Sequence, residues 1–171
     1  IGDTISTETI GTGAGIIESP GVKDTYTFEA SPGQSILVEV LEADFTVYWQ
    51  LTGPENEQIF SGYRGAESIF GVYTLETGGQ YTLTVSGYEA ETGSYRAKLW
   101  NVPEPEAFEI EIGEMISGNT TGIGAGDIES PGVQDTYTFE AAAGQSILIE
   151  VLEADFTVYW QITGPEDETI F

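Results

Sequence analysis

Apolar and polar residues alternate strictly along several stretches of the chain, and a period of two predicts β-strands. Tyr26, Phe28 and Ala30 share one face while Thr25, Thr27 and Glu29 share the other. Tyr81, Leu83 and Val85 repeat the pattern against Thr82, Thr84 and Ser86. Further strands are predicted at residues 35–41, 45–52, 68–75 and 94–102, separated by the turn signals SPGQ, TGPENE and ETGGQ. No segment has a helical period. Seven or eight short strands in roughly 105 residues, with Gly and Pro at the turns, predict an all-β fold, an antiparallel β-sandwich of jelly-roll type. In FTVYWQL, Phe45, Val47, Trp49 and Leu51 take the inward phase and leave Tyr48 outside, so Trp49 and its copy Trp160 are expected in the core. Trp100 is out of phase with Tyr95, Ala97 and Leu99, which puts it outside the core or against the following segment.

The pattern also repeats on a larger scale. Shifted by 111 residues, residues 1–60 align with residues 112–171 without a gap, and 46 of the 60 pairs are identical. The unit is therefore a domain, not a short solenoid turn, and near-identity of this kind is how tandem arrays grow. Residues 1–103 are expected to form a first β-sandwich repeat, 104–107 a stiff Pro/Glu linker, and 108–171 the N-terminal part of a second repeat. Phe108, Ile110 and Ile112 alternate with Glu109 and Glu111 as a half-buried strand, and Ile1 is the counterpart of Ile112, so the sequence is expected to begin partway along that strand. It ends at Phe171, the counterpart of Phe60, and the second repeat is expected to lack nearly half of its sheet.

The series SPGVKDTYTFEASPGQSILVEV, then YTLTVSG, then TGSYRAKL resembles the bacterial pre-peptidase C-terminal domain, a β-sandwich module of secreted proteases and surface proteins. The resemblance covers the first repeat and the available part of the second. It implies a secreted module, and because some members are calcium-stabilised or collagen-binding, it brings ion and matrix binding into consideration. The chain departs from the family's usual setting in carrying no protease domain.

Composition narrows the chemistry. The 171 residues include 29 Asp and Glu but only Lys23, Arg64, Arg96 and Lys98, for a formal charge of -25. Such a field repels nucleic acid and anionic membranes. No His and no Cys are present, which removes imidazole bases, thiolate nucleophiles and the usual zinc and copper ligand sets, and with them most enzyme classes. No apolar stretch approaches the roughly 20 residues of a membrane helix. If the parent protein is exported, its targeting segment lies outside this sequence.

Calcium is the candidate cofactor, because hard cations collect oxygen ligands on loops. The candidate ligands are Asp24, Glu42 and Asp44 with their copies Asp135, Glu153 and Asp155, all near predicted strand ends. The alternative is that they are solvated carboxylates or turn caps. Tyr48, Tyr63 and Trp100 are the candidate ligand-binding aromatics. Asn119-Thr120-Thr121 is a glycosylation sequon, with Glu8 at the matching place in the first copy. GTGAG at residues 11–15 lacks the Lys and the helix of a phosphate loop and is expected to be a flexible turn.

These features point to a non-catalytic, extracellular or cell-surface structural repeat: a stalk, adhesin shaft or filament. Its expected partners are copies of itself, head-to-tail or strand-complemented, because a 60-residue half-sandwich exposes a sheet edge and an apolar face. The alternative is a carbohydrate- or matrix-binding accessory module.

Overall fold

The computed structural model of the protein describes residues 1–6 and 14–171. No helix occurs among them. The strands are β1 (Thr4–Ile5), β2 (Ile16–Ile17), β3 (Lys23–Ala30), β4 (Gln34–Ala43), β5 (Val47–Thr52), β6 (Gln58–Arg64), β7 (Ser68–Ile69), β8 (Tyr73–Leu75), β9 (Gly79–Gly87), β10 (Gly93–Val102), β11 (Glu106–Glu109) and β12 (Asp135–Thr138). The first ten build two antiparallel sheets. One runs β1-β10-β4-β7, with β2 also on β10 and β8 also on β4; the other runs β3-β9-β5-β6. The two strands that close the fold are β9, which lies between β3 and β5, and β10, which lies between β1 and β4.

The inner faces follow the alternation. Val47, Trp49 and Leu51 of β5, Tyr81, Leu83 and Val85 of β9, and Ile36, Val38 and Val40 of β4 are all buried in one core cluster. The edge strand β6 was not expected from the sequence, because Ser61 and Gly62 interrupt its apolar run. The strand predicted at 68–75 is split in two. Between the pieces Phe70 turns inward, its ring 4.4 Å from that of Phe60, so the chain leaves the ladder to bury an aromatic ring. The turn expected at residues 11–15 falls largely on residues 7–13, outside the described residues, as does Glu8.

Residues 110–171 differ sharply. Their one strand, β12, pairs in parallel with β11, Glu106 with Asp135 through Glu109 with Thr138. Glu106 and Ala107, read above as linker, belong to β11. The strand expected through Ile112 stops at Glu109, since β12 ends opposite it at Thr138 and offers no further ladder. Ile36, Val38 and Val40 are at most 1% exposed, whereas their copies Ile147, Ile149 and Val151 are 39%, 46% and 50% exposed. Trp160, expected in the core, is only half-buried, whereas Trp49 is fully buried.

The physical reason lies in the topology. Outside β6, every strand partner of β3 and β5 is β9, and β4 pairs with β10, β7 and β8. All of these partners lie in residues 61–102, which the sequence carries once. Local turns survive without them. Gly53 N–H donates to Glu57 C=O at 2.8 Å, and Gly164 N–H donates to Glu168 C=O at the same distance. Asn56 and its copy Asp167 both take positive φ, at 63° and 60°. Turn chemistry needs only neighbours, while sheets need distant strands.

Candidate functional site

The three expected calcium ligands of the first copy are each held by different partners. Asp24 lies on the inward phase of β3, where Tyr26, two residues on, shares its face. Tyr95 reaches across from β10 in the opposite sheet and donates its phenol O–H to Asp24. The Tyr26 and Tyr95 hydroxyls are 2.7 Å apart, Tyr26 also donates to Asp24 at 3.2 Å, and Gly15 N–H donates to Tyr26 at 3.0 Å. This polar knot ties the two sheets together. Burial pushes the phenol of Tyr95 far above its ordinary range, with the hydrogen bond to Asp24 adding to it. Burial raises Tyr26 as well.

Glu42 is taken by Arg96 on the neighbouring strand, an ion pair open to solvent. Asp44 accepts from the backbone N–H and hydroxyl of Ser94. Among the described residues no group of three or more carboxylates stands close enough to share a cation. Each of the three carboxylates is thus engaged by protein groups in this arrangement. Of the copies, Glu153 and Asp155 are exposed. Asp135 repeats part of the knot: Tyr137 donates to it at 2.6 Å and Gly126 N–H donates to Tyr137 at 2.8 Å. Burial and the Asp135 hydrogen bond push Tyr137 up to about 12. The other Asp135 oxygen is buried without a partner, and no residue in the sequence stands where a copy of Tyr95 would be.

The aromatic candidates separate. Tyr48 and Tyr63 are cross-strand partners on the outer face of β5 and β6, with ring centroids 5.1 Å apart. Tyr88, just past β9, joins them edge-on at 5.2 Å from Tyr63. Tyr63 and Tyr88 are 49% and 42% exposed, so three phenols form an open patch on one sheet. Trp100 stands apart. Its indole N–H donates to Glu39 at 2.8 Å, and the Lys98 ammonium sits 3.3 Å over its ring, which covers the face a ligand would use. Asn119 is exposed in a turn where Ser117 C=O accepts from Thr120 and Thr121.

The chain is similar to a solved structure. That structure is the pre-peptidase C-terminal domain of collagenase from Bacillus anthracis, with 20% identity, 58% of this chain and 90% of that chain covered, and a TM-score of 0.47. No family model and no curated protein matches the sequence. Among the described residues no helix is long and apolar enough to cross a membrane.

Sequence reasoning missed two contributors. Tyr95 was placed in phase but not paired, since its partner Asp24 lies 71 residues away. Leu37 points to the outer face of β4, yet it is only 2% exposed. The turn at Gly132 covers it: a methyl added at Gly132 would lie 3.2 Å from Leu37 and 2.9 Å from Val72. Its copy, Leu148, is 89% exposed. A leucine at an outward strand position, repeated in both copies, is the signal that would have found this contact.

Proposed function

We propose that this chain is part of a non-catalytic, extracellular structural array, a stalk or shaft, whose units are completed and stacked end to end. The carrying observation is that two halves of nearly one sequence differ in burial according to whether strands like β9 and β10 are available to them. The outer-face contact of Leu37 with the Gly132 turn supports stacking, because it sets one repeat against the next. Leu148 is the position at which a following repeat docks in the same way.

Small-angle scattering on chains of one, two and three whole 111-residue units tests the array. A maximum dimension growing by a constant increment per unit supports a shaft, and growth with the square root of unit number rejects it.

The tyrosine patch favours a second reading, a module that binds matrix or glycan. Three phenols on a flat sheet stack on sugar rings or on a proline-rich helix. Loss of binding to immobilised collagen or glycans in Tyr63→Ala and Tyr88→Ala variants supports it, and the absence of any binding by the parent chain removes it.

A further inference from the structure

We propose that the outer edge of β3 is a strand-binding site. It takes, in parallel register, an extended segment of β11's pattern, Glu-Ala-Phe-Glu-Ile, presented by another polypeptide as the linker of a repeat of this kind. The inference does not depend on the array reading.

The direction of the backbone groups locates the edge. Tyr88 N–H donates to Thr46 C=O at 3.0 Å, and hydrogen-bonded pairs alternate from there along β5 and β9: Tyr48 with Ser86, Gln50 with Thr84 and Thr52 with Thr82. Tyr81, Leu83 and Val85 therefore turn their backbone groups the other way, toward Phe28, Tyr26 and Asp24 of β3. Thr25, Thr27 and Glu29 then direct theirs away from β9. Among the described residues no strand is paired on that side of β3.

The same strand sequence carries a partner on that side elsewhere in the chain. Residues 24–30 and 135–141 are identical, and β12 is the copy of residues 24–27. There Ile110 N–H donates at 2.9 Å to the C=O of Thr138, the counterpart of Thr27. β11 thus lies on the side of its strand that β3 leaves outermost, opposite the side where β9 lies. The surroundings match as well. Gly126 N–H donates to the Tyr137 hydroxyl and that hydroxyl to Asp135, just as Gly15 donates to Tyr26 and Tyr26 to Asp24. On this frame Phe108 of β11 stacks on Tyr137 with ring centroids 5.3 Å apart. Tyr26 and Phe28 are only half-buried, while Tyr81 and Leu83 beside them are each 1% exposed, so a strand bringing an aromatic ring to Tyr26 extends the core to the edge. The ladder supplies affinity and the aromatic position fixes register. Charge opposes the encounter, since the segment is acidic and the chain carries -25, and binding should strengthen with salt.

The probe is a capped peptide of residues 103–111, added to the full chain in about 0.5 M salt, with amide exchange read by NMR. In the chain alone, Thr25 and Thr27 should exchange fast, and Tyr26 and Phe28, bonded to β9, slowly. Saturating peptide should slow Thr25 and Thr27 by at least about tenfold, and lowering the salt should weaken the effect. The same peptide N-methylated at the Phe108 and Ile110 amides, the donors that face the acceptor strand, should leave both threonines fast. The proposal is overturned if Thr25 and Thr27 are as protected as Tyr26 and Phe28 before peptide is added, or if the peptide slows only Thr136 and Thr138 by trading places with β11. It is equally overturned if the peptide changes nothing, or if the N-methylated form protects as well as the parent.

Discussion

Replacing Tyr95 by Phe isolates the polar knot from the packing around it. The Tyr95 ring packs edge-on against Trp49 at 5.4 Å, and phenylalanine keeps that contact. What is lost is the O–H that donates to Asp24 and meets Tyr26. A hydrogen bond to a charged group is worth about 1.5–3 kcal/mol. Asp24 is only half-buried and keeps the Tyr26 hydroxyl, so the lower end applies, about 1.5–2 kcal/mol. For a domain of this size 1 kcal/mol shifts Tm by about 4–8 °C, giving a fall of about 6–16 °C. Calorimetry at neutral pH measures it, with Tyr137→Phe as the internal control. Tyr137 sits in the half without a closed core, so its substitution should leave the transition in place. A Tyr95→Phe variant melting within 2 °C of the parent, or a Tyr137→Phe variant falling equally far, would refute the reasoning.

Four further outcomes follow from the same geometry. Because burial raises the folded-state pKa of Tyr26, Tyr81 and Tyr95 above the ordinary tyrosine value, the folded chain holds phenol protons that the unfolded chain releases. Stability should be fully present below about pH 10 and fall as pH rises beyond it, less steeply in the Tyr26→Phe/Tyr95→Phe variant, as read by melting temperature against pH. A net charge of -25 with one ion pair among the described residues predicts that moving from low salt to 0.5 M, about a several-fold shorter screening length, raises Tm. Since Asp24, Glu42 and Asp44 each have another partner, adding a chelator should leave the melting curve unchanged; a fall of several degrees would show a cation these side chains do not account for. Leu37→Ser should leave the first domain's Tm within a few degrees while speeding amide exchange at Val133 and along β12, because it uncovers the contact beneath Gly132.

Much of the first domain was legible because period-two alternation reports directly which side of a strand meets the core. Tyr81, Leu83 and Val85 in β9 and Val47, Trp49 and Leu51 in β5 lie where that phase puts them. Where a residue's role depends on a distant partner, alternation is silent. Asp24 reads alone as a carboxylate at a strand end, and only the arrival of Tyr95 from the other sheet makes it part of a tie. Trp100 reads as a ring outside the core or against the following segment, and only the structure shows Lys98 and Glu39 closing it off. Identity between the halves predicted identical faces for Trp49 and Trp160, yet burial follows the strands alongside. The tyrosine patch was half legible: Tyr48 and Tyr63 were singled out, while Tyr88 lies past the end of a strand, where phase no longer gives direction.

Amide exchange across the two halves tests the account most directly. In the present chain, amides of Ile36, Val38 and Val40 should be strongly protected and those of Ile147, Ile149 and Val151 should exchange near the unprotected rate. Appending a second copy of residues 61–102 after Phe171 should protect Ile147, Ile149 and Val151 to the level of their counterparts. Continued rapid exchange at those three positions with the added strands in place would contradict it.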